Sequence, residues 1–284
     1  SEPTSPHSAG TVVGVYLAQH CRALLEGDHD VRRGDDAGVH TARVASRRVR
    51  SVLRVYGALF DPAAARVLDV ELRWWASRLG PVRDLRVLQN RLDAMVAEVD
   101  DGLPMGPAKS RIDDELERAR RRHWEEVQAD LTGERHCALL TELKRWGTQP
   151  PWTAQAGRPA SALVRRAVGA DRTVARRLTR AVRSGDSEDL HRARKAAKRA
   201  RYAAEVAAAI TGEHAVEDVK RYEQLQDLLG EHQDSIVSAA LLRRLGAEAA
   251  PGDDGFAFGM LYEREQQRAR EARLAVRRIA RRYR

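Results

Sequence analysis

Two stretches of this chain carry the same cations in the same order, 151 residues apart. His40-Thr-Ala-Arg43-Val-Ala-Ser-Arg47-Arg48-Val-Arg50 aligns without gaps with His191-Arg-Ala-Arg194-Lys195-Ala-Ala-Lys198-Arg199-Ala-Arg201. A second pair follows at an offset of 150: Trp75-Ala-Ser-Arg-Leu79-Gly80-Pro-Val-Arg83-Asp84 and Leu225-Gln-Asp-Leu-Leu229-Gly230-Glu-His232-Gln-Asp234. Offsets this close leave one helix connection differing by a single residue. A duplicated helical bundle explains them, each half contributing a similar set of helices.

The rest of the chain agrees with an all-α fold. Ala, Leu, Arg and Glu are abundant, and they are strong helix formers. No sustained period-two alternation and no hairpin signal is present. Gly and Pro clusters punctuate the pattern near Gly27–Gly38, Asp61-Pro62, Gly102–Pro107, Thr132-Gly133, Gly147–Pro159, Ser184–Ser187, Thr211-Gly212 and Gly246–Gly255. Between them nine helices are expected, over 11–26, 37–60, 62–98, 107–131, 134–147, 159–183, 187–210, 214–245 and 255–283. The expected organisation is a linker over residues 1–10, a first half over about 11–147, a Pro- and Gly-rich seam over 148–158 and a second half over about 159–284.

On a helix, His40, Arg43, Arg47, Arg50 and Arg54 fall within an arc of roughly 80° and run for about 21 Å. Val49, Val52, Leu53, Tyr56, Leu59 and Phe60 take the other side. No Asp or Glu occurs between Asp36 and Asp61, so the stripe has no neutralising partner in its own helix. Like charges at i, i+3 and i+4 cost an isolated helix a few tenths of a kcal/mol per pair, about 0.2–0.5. The second copy repeats the arrangement with His191, Arg194, Lys198 and Arg201, with Lys195 beside it, and stops at Glu205. Arg48 and Arg199 fall off the narrow arc in both copies. A solvated basic face is the bland alternative. Pairing with Asp84 and Asp234 is another, and would account for one or two of the arginines.

Lys and Arg number 50 against 41 Asp and Glu, a formal net charge of +9. That excess points to a polyanionic partner. It is mostly arginine, whose planar fork of donors suits phosphate oxygens. Two stripes facing each other would line a cationic groove, and its affinity for an extended polyanion would fall steeply with salt. Cys21 and Cys137 form neither a metal spacing nor a disulfide framework, which fits a reduced, intracellular compartment. No apolar run has the length of a membrane span. The start, Ser1-Glu2-Pro3-Thr4-Ser5-Pro6, carries no secretory signal and no initiator Met, so a piece of a longer protein is expected.

The repeated His-x-x-Arg-x-x-x-Arg/Lys-Arg-x-Arg pattern resembles that of the CHAD family, the conserved histidine α-helical domains. Both halves carry it, and the Leu79–Asp84 and Leu225–Asp234 segments resemble that family's later helix motif. The resemblance spans residues 11 to 283. It implies two tandem, pseudo-symmetric, four-helix-type bundles around a basic central groove or pore. It implies inorganic polyphosphate as ligand, a cytoplasmic location at bacterial polyphosphate granules, and a CYTH triphosphatase domain in the same or a neighbouring protein. Carried over, the first-half binding positions are His40, Arg43, Arg47, Arg48, Arg50, Arg54 and Arg83. Those of the second half are His191, Arg194, Lys195, Lys198, Arg199, Arg201 and His232. Glu205 stands where Arg54 would recur and His232 where the first half has Val82, so the two ends are expected to differ.

A metal site would need three or four converging ligands, and no His-Glu-x-x-His occurs. His40 and His191 are therefore expected to donate to phosphate oxygens, with an anion raising their pKa. No cofactor is expected. No Gly-rich phosphate loop or magnesium-binding carboxylate cluster is recognisable, so catalysis is not expected. The alternatives are a nucleic-acid-binding helical protein or an accessory domain of a polyphosphate-metabolising enzyme. An aromatic content of 5% and the lack of a recognised DNA or RNA motif weigh against the first. Arg270, Arg273, Arg277, Arg281 and Arg284 of the last helix could extend the groove. Trp74, Trp75, Trp124 and Trp146 read as core or half-core.

Overall fold

The computed structural model describes residues 7–99, 105–211, 213–249 and 255–283. Among these residues the chain forms nine α-helices. They are α1 (Ala9–Arg32), α2 (Asp36–Val55), α3 (Pro62–Ala97), α4 (Gly106–Leu131), α5 (Glu134–Thr148), α6 (Ser161–Ser184), α7 (Ser187–Thr211), α8 (Glu213–Ala247) and α9 (Gly255–Ala280). Short 3-10 turns occupy Gly57–Leu59, Ala154–Gly157 and Arg281–Tyr283. Isolated bridges join Ser8 to Pro159 and Phe60 to Trp152. The expected breaks at 102–104, 212 and 250–254, and residues 1–6 of the expected linker, lie outside the described residues.

Local chemistry sets the helix starts. Ser8 caps α1 by accepting from the Thr11 amide at 3.2 Å. Asp35 caps α2 through Ala37 at 2.8 Å, and Asp61 accepts from Ala64 at 2.8 Å. Pro62 then takes the first position of α3, where its missing N–H costs nothing. Pro81 lies inside α3, where the ring removes one hydrogen bond of the ladder yet the helix continues to Ala97.

Two expected boundaries shift. The break near Gly27–Gly38 narrows to residues 33–35, since α1 runs through Gly27 to Arg32 and α2 begins at Asp36, and the helix expected over 37–60 ends at Val55. A β-carbon on Gly38 would stand 2.6 Å from Asp30 Cβ and 2.7 Å from the Gly27 carbonyl oxygen. One on Gly27 would stand 2.8 Å from the Ala42 nitrogen. These glycines mark a close helix crossing. Gly34, at φ 80°, makes the turn.

The described chain divides into two compact units, each drawing on both copies of the repeat. The first comprises 1–83, 124–174 and 196–223, the second 84–123, 175–195 and 224–284. In the first, Leu17, Leu24, Phe60, Leu72, Trp75 and Trp146 are fully buried. Phe60 stacks on Trp152 with centroids 4.9 Å apart, and this ties residues 148–158 to the core together with the Thr153 amide, which donates to Leu59 O at 2.8 Å. Trp74 and Trp124 pack against the same core, half-buried. In the second unit Leu92, Met95, Ile112, Leu242, Phe258 and Leu261 form the core. No helix among the described residues is long and apolar enough to cross a membrane.

Candidate functional site

In the first unit, α2 buries Val39, Ala42, Ala45, Val49, Val52 and Leu53. Its other face carries the cations. His40 and Arg54 are exposed, and Arg43, Arg47, Arg48 and Arg50 are half-buried. Lost hydration and then the charges of Arg83, Arg47 and Arg43 hold the His40 imidazole below its usual pKa. Arg83 of α3 and the first turns of α2 therefore share one cationic neighbourhood. The Arg47 Nε is buried with no hydrogen-bond partner among the described residues. The Arg43 guanidinium lies against Gly80, where a β-carbon would be 3.0 Å from Nη1.

The second unit repeats part of this geometry. The Arg194 guanidinium on α7 lies against Gly230 on α8, with Nη2 3.3 Å from where a β-carbon would stand. The Arg194 Nε is buried without a hydrogen-bond partner, and so is the Nε2 of His232, a buried residue of α8. Burial and then the charge of Arg273 press the His232 pKa down. Arg273 is held by donating to Gly185 O at 2.6 Å. Burial raises the Asp234 pKa, and Glu231 and Asp84 add to the rise, against the opposing pull of Arg194 and Arg91. Arg194 therefore does have the acidic neighbour expected of Asp234. His191 is half-buried and Lys195 exposed in this unit, as are Lys198 and Arg199 respectively in the first.

The expectation of unneutralised stripes fails for Arg48, Arg50, Arg54 and Arg201 at least. Arg50 Nε donates to Asp69 at 2.9 Å and Arg54 reaches the same carboxylate at 3.4 Å. Arg48 Nε meets Glu205 at 3.0 Å. Arg201 Nε meets Glu205 at 3.2 Å, and its Nη2 pairs with Glu223. Burial opposes ionisation of Asp69, yet the Arg50 hydrogen bond and the charges of Arg50 and Arg54 outweigh it and hold its pKa below the usual value. An acid-free run within a helix does not exclude carboxylates from the helices packed beside it. The stripe thus has one part held by Asp69, Glu205 and Glu223, namely Arg48, Arg50, Arg54 and Arg201, and another around His40 where the charges of Arg83, Arg47 and Arg43 act on the imidazole.

Glu205 was legible only as the residue that shortens the second stripe. It is the centre of a polar cluster, accepting from the Tyr16 hydroxyl at 2.6 Å as well as from both arginines. In the last helix Arg268 pairs with Glu98 at 2.8 Å and Arg270 with Glu263 of the same helix at 2.6 Å, while Arg284 lies outside the described residues. Cys21 is buried, its thiol pushed up to about 12 by burial, and Cys137 is exposed. Among the described residues no group of three or more His, Cys, Asp or Glu is placed to hold a metal ion.

Known proteins resemble this chain over almost its whole length. The model of the CHAD domain matches residues 15–243. Two curated proteins of Mycobacterium tuberculosis, from strains CDC 1551 and H37Rv and both named as uncharacterized, are 31% identical over 284 residues. The match covers 95% of this chain and 53% of each relative, so the chain spans about half their length. PptA from Streptomyces chartreusis superposes with a TM-score of 0.77 at 20% identity, covering 96% of this chain and 99% of that one. The CHAD domain from the plant Ricinus communis superposes at 0.75 with 22% identity, covering 96% and 91%. At these identities the two structures speak to the fold alone.

Proposed function

Because the chain belongs to the CHAD domain family, we propose that it is a non-catalytic binding module for inorganic polyphosphate. One observation carries the reading: three side-chain nitrogens at repeat positions, Arg47 Nε, Arg194 Nε and His232 Nε2, are buried without hydrogen-bond partners among the described residues. A buried donor left unmade costs about 1–3 kcal/mol, and a phosphate oxygen would satisfy it with a charge-assisted bond. The depressed His40 adds a second argument. The charges of Arg83, Arg47 and Arg43 act on it, so an entering anion would relieve their repulsion.

In this reading His40, Arg43, Arg47 and Arg83 are the contacts of the first unit, and His191, Arg194, Lys195 and His232 those of the second. Lys198 and Arg199 add positive charge. Arg48, Arg50, Arg54 and Arg201 serve chiefly to hold helices together. Guanidinium groups stabilise phosphate charge but activate no nucleophile, so the module is read as binding rather than cleaving. A location at polyphosphate granules in a bacterial cytoplasm, and service to an adjoining CYTH triphosphatase domain, complete the proposal. Relatives about twice as long as this chain leave room for such a domain.

Titration calorimetry with long-chain polyphosphate and with duplex DNA at physiological salt tests it. Tight binding of polyphosphate and much weaker binding of DNA are expected. Comparable affinities would point to a nucleic-acid-binding protein instead. The charge reversal Arg47→Glu with Lys198→Glu is expected to abolish binding while the circular dichroism stays helical. Orthophosphate released from polyphosphate by the pure protein with magnesium would overturn the non-catalytic reading.

A further inference from the structure

The arginines with no carboxylate partner are not confined to the repeat. Arg158, just before α6, and Arg165 and Arg166 in its first turns are exposed, and none forms an ion pair among the described residues. The three border one cavity of about 260 Å³ within the first unit. Its wall is apolar: Ala9 of α1, Leu59 of the 3-10 turn, and Ala162 and Leu163 of α6. Tyr56 closes one side, its hydroxyl fixed by donating to Ala203 O at 3.0 Å. Among the described residues no Asp or Glu lines the cavity. The charge of Arg166 reaches the Tyr56 hydroxyl, where it opposes the burial that pushes that group's pKa up.

We propose that this cavity is a second binding site, taking a small organic anion whose apolar ring carries a phosphate or carboxylate headgroup. An apolar cavity of about 150 Å³ accommodates benzene, so this volume suits a ring with a charged substituent. The ring would fill the wall of Leu59, Leu163 and the alanines, and the headgroup would meet the forks of Arg158, Arg165 and Arg166. A polyphosphate chain has nothing apolar to place against that wall, so the site is distinct from the repeated stripes. It does not depend on the reading given for them.

Phenyl phosphate and inorganic phosphate carry the same headgroup and differ by the ring, so titration of each into the full chain reads the cavity directly. Phenyl phosphate is expected to bind at one site per chain, about tenfold or more tighter than inorganic phosphate. In Arg158→Ser with Arg166→Ser the advantage is expected to vanish. Both side chains are exposed and outside ion pairs, so the thermal midpoint should stay unchanged. Saturation with long-chain polyphosphate is expected to leave phenyl phosphate binding intact. Equal affinities for the two phosphates, full binding by the double variant, or displacement by polyphosphate would each overturn the proposal.

Discussion

Gly80 of α3 lies against the guanidinium of Arg43 on α2, and a β-carbon there would stand 3.0 Å from Nη1. Gly230 and Arg194 repeat the relationship in the second unit at 3.3 Å. The glycine sets where the arginine fork rests, so stability and binding respond in opposite senses. Replacing a helical glycine with alanine gains up to about 1 kcal/mol, while the displaced fork loses a phosphate contact. Gly80→Ala is expected to raise the urea midpoint slightly and weaken polyphosphate binding by about tenfold. Unchanged affinity in calorimetry would show that the fork's position does not matter.

Glu205 serves as an internal counter-charge for Arg48 and Arg201 and accepts from Tyr16. Removing one partner of a largely buried ionic cluster leaves the rest uncompensated. Glu205→Ala is expected to cost about 3 kcal/mol in urea denaturation, and Glu205→Gln less, because the amide oxygen can still accept from Tyr16. Equal losses would mean that the charge alone matters and that the acceptor kept for Tyr16 contributes nothing.

Paired and unpaired arginines should separate in a salt series. Arg47→Ala is expected to weaken polyphosphate binding and lower the salt slope by about one. Arg54→Ala, whose guanidinium already leans on Asp69, should change both far less. Identical slopes in the two variants would contradict the division of the stripe.

Burial first, then the charge of Arg48, presses His20 from 6.5 down to about 4, against the pull of Glu205. Between those values the unfolded chain binds a proton that the native chain refuses. Stability therefore falls as pH drops through this window, by at most about 1.4 kcal/mol per pH unit from this group, and the contribution levels off below the lower value. His20→Phe keeps a ring beside Tyr16 and should flatten that part of the profile. Urea midpoints measured from neutral pH to about pH 4.5 check it, and parallel profiles for both proteins would remove His20 as the cause.

The α1–α2 crossing is a backbone contact, so it should be intolerant of any side chain. Gly38→Ala would press a methyl group to 2.7 Å from the Gly27 carbonyl oxygen and the Val31 nitrogen. A loss of about 2 kcal/mol or more is expected by chemical denaturation. A neutral result would mean that the two helices separate easily.

The helices were legible because each start and stop rests on local signals. Asp61-Pro62, Thr132-Gly133 and Ser184–Ser187 all mark true boundaries. Gly27 misled because a glycine that ends a helix and one that lets a neighbour approach look alike in sequence. The repeat identified the right cations, and their spacing placed Val49, Val52 and Leu53 on the opposite, buried face of α2. Spacing could not say which of those cations are already neutralised.

Charge order, periodicity and capping are properties of near neighbours along the chain. They determined an all-helical protein with one cationic motif used twice. Which arginines remain available was decided by residues far away in sequence, since Glu205 reaches Arg48 across 157 positions. The cavity bordered by Arg158, Arg165 and Arg166 likewise exists only because α1, the 3-10 turn before α3 and α6 converge in the fold. Coulombic pairing and cavity shape depend on distance through space, and only the tertiary structure sets that distance.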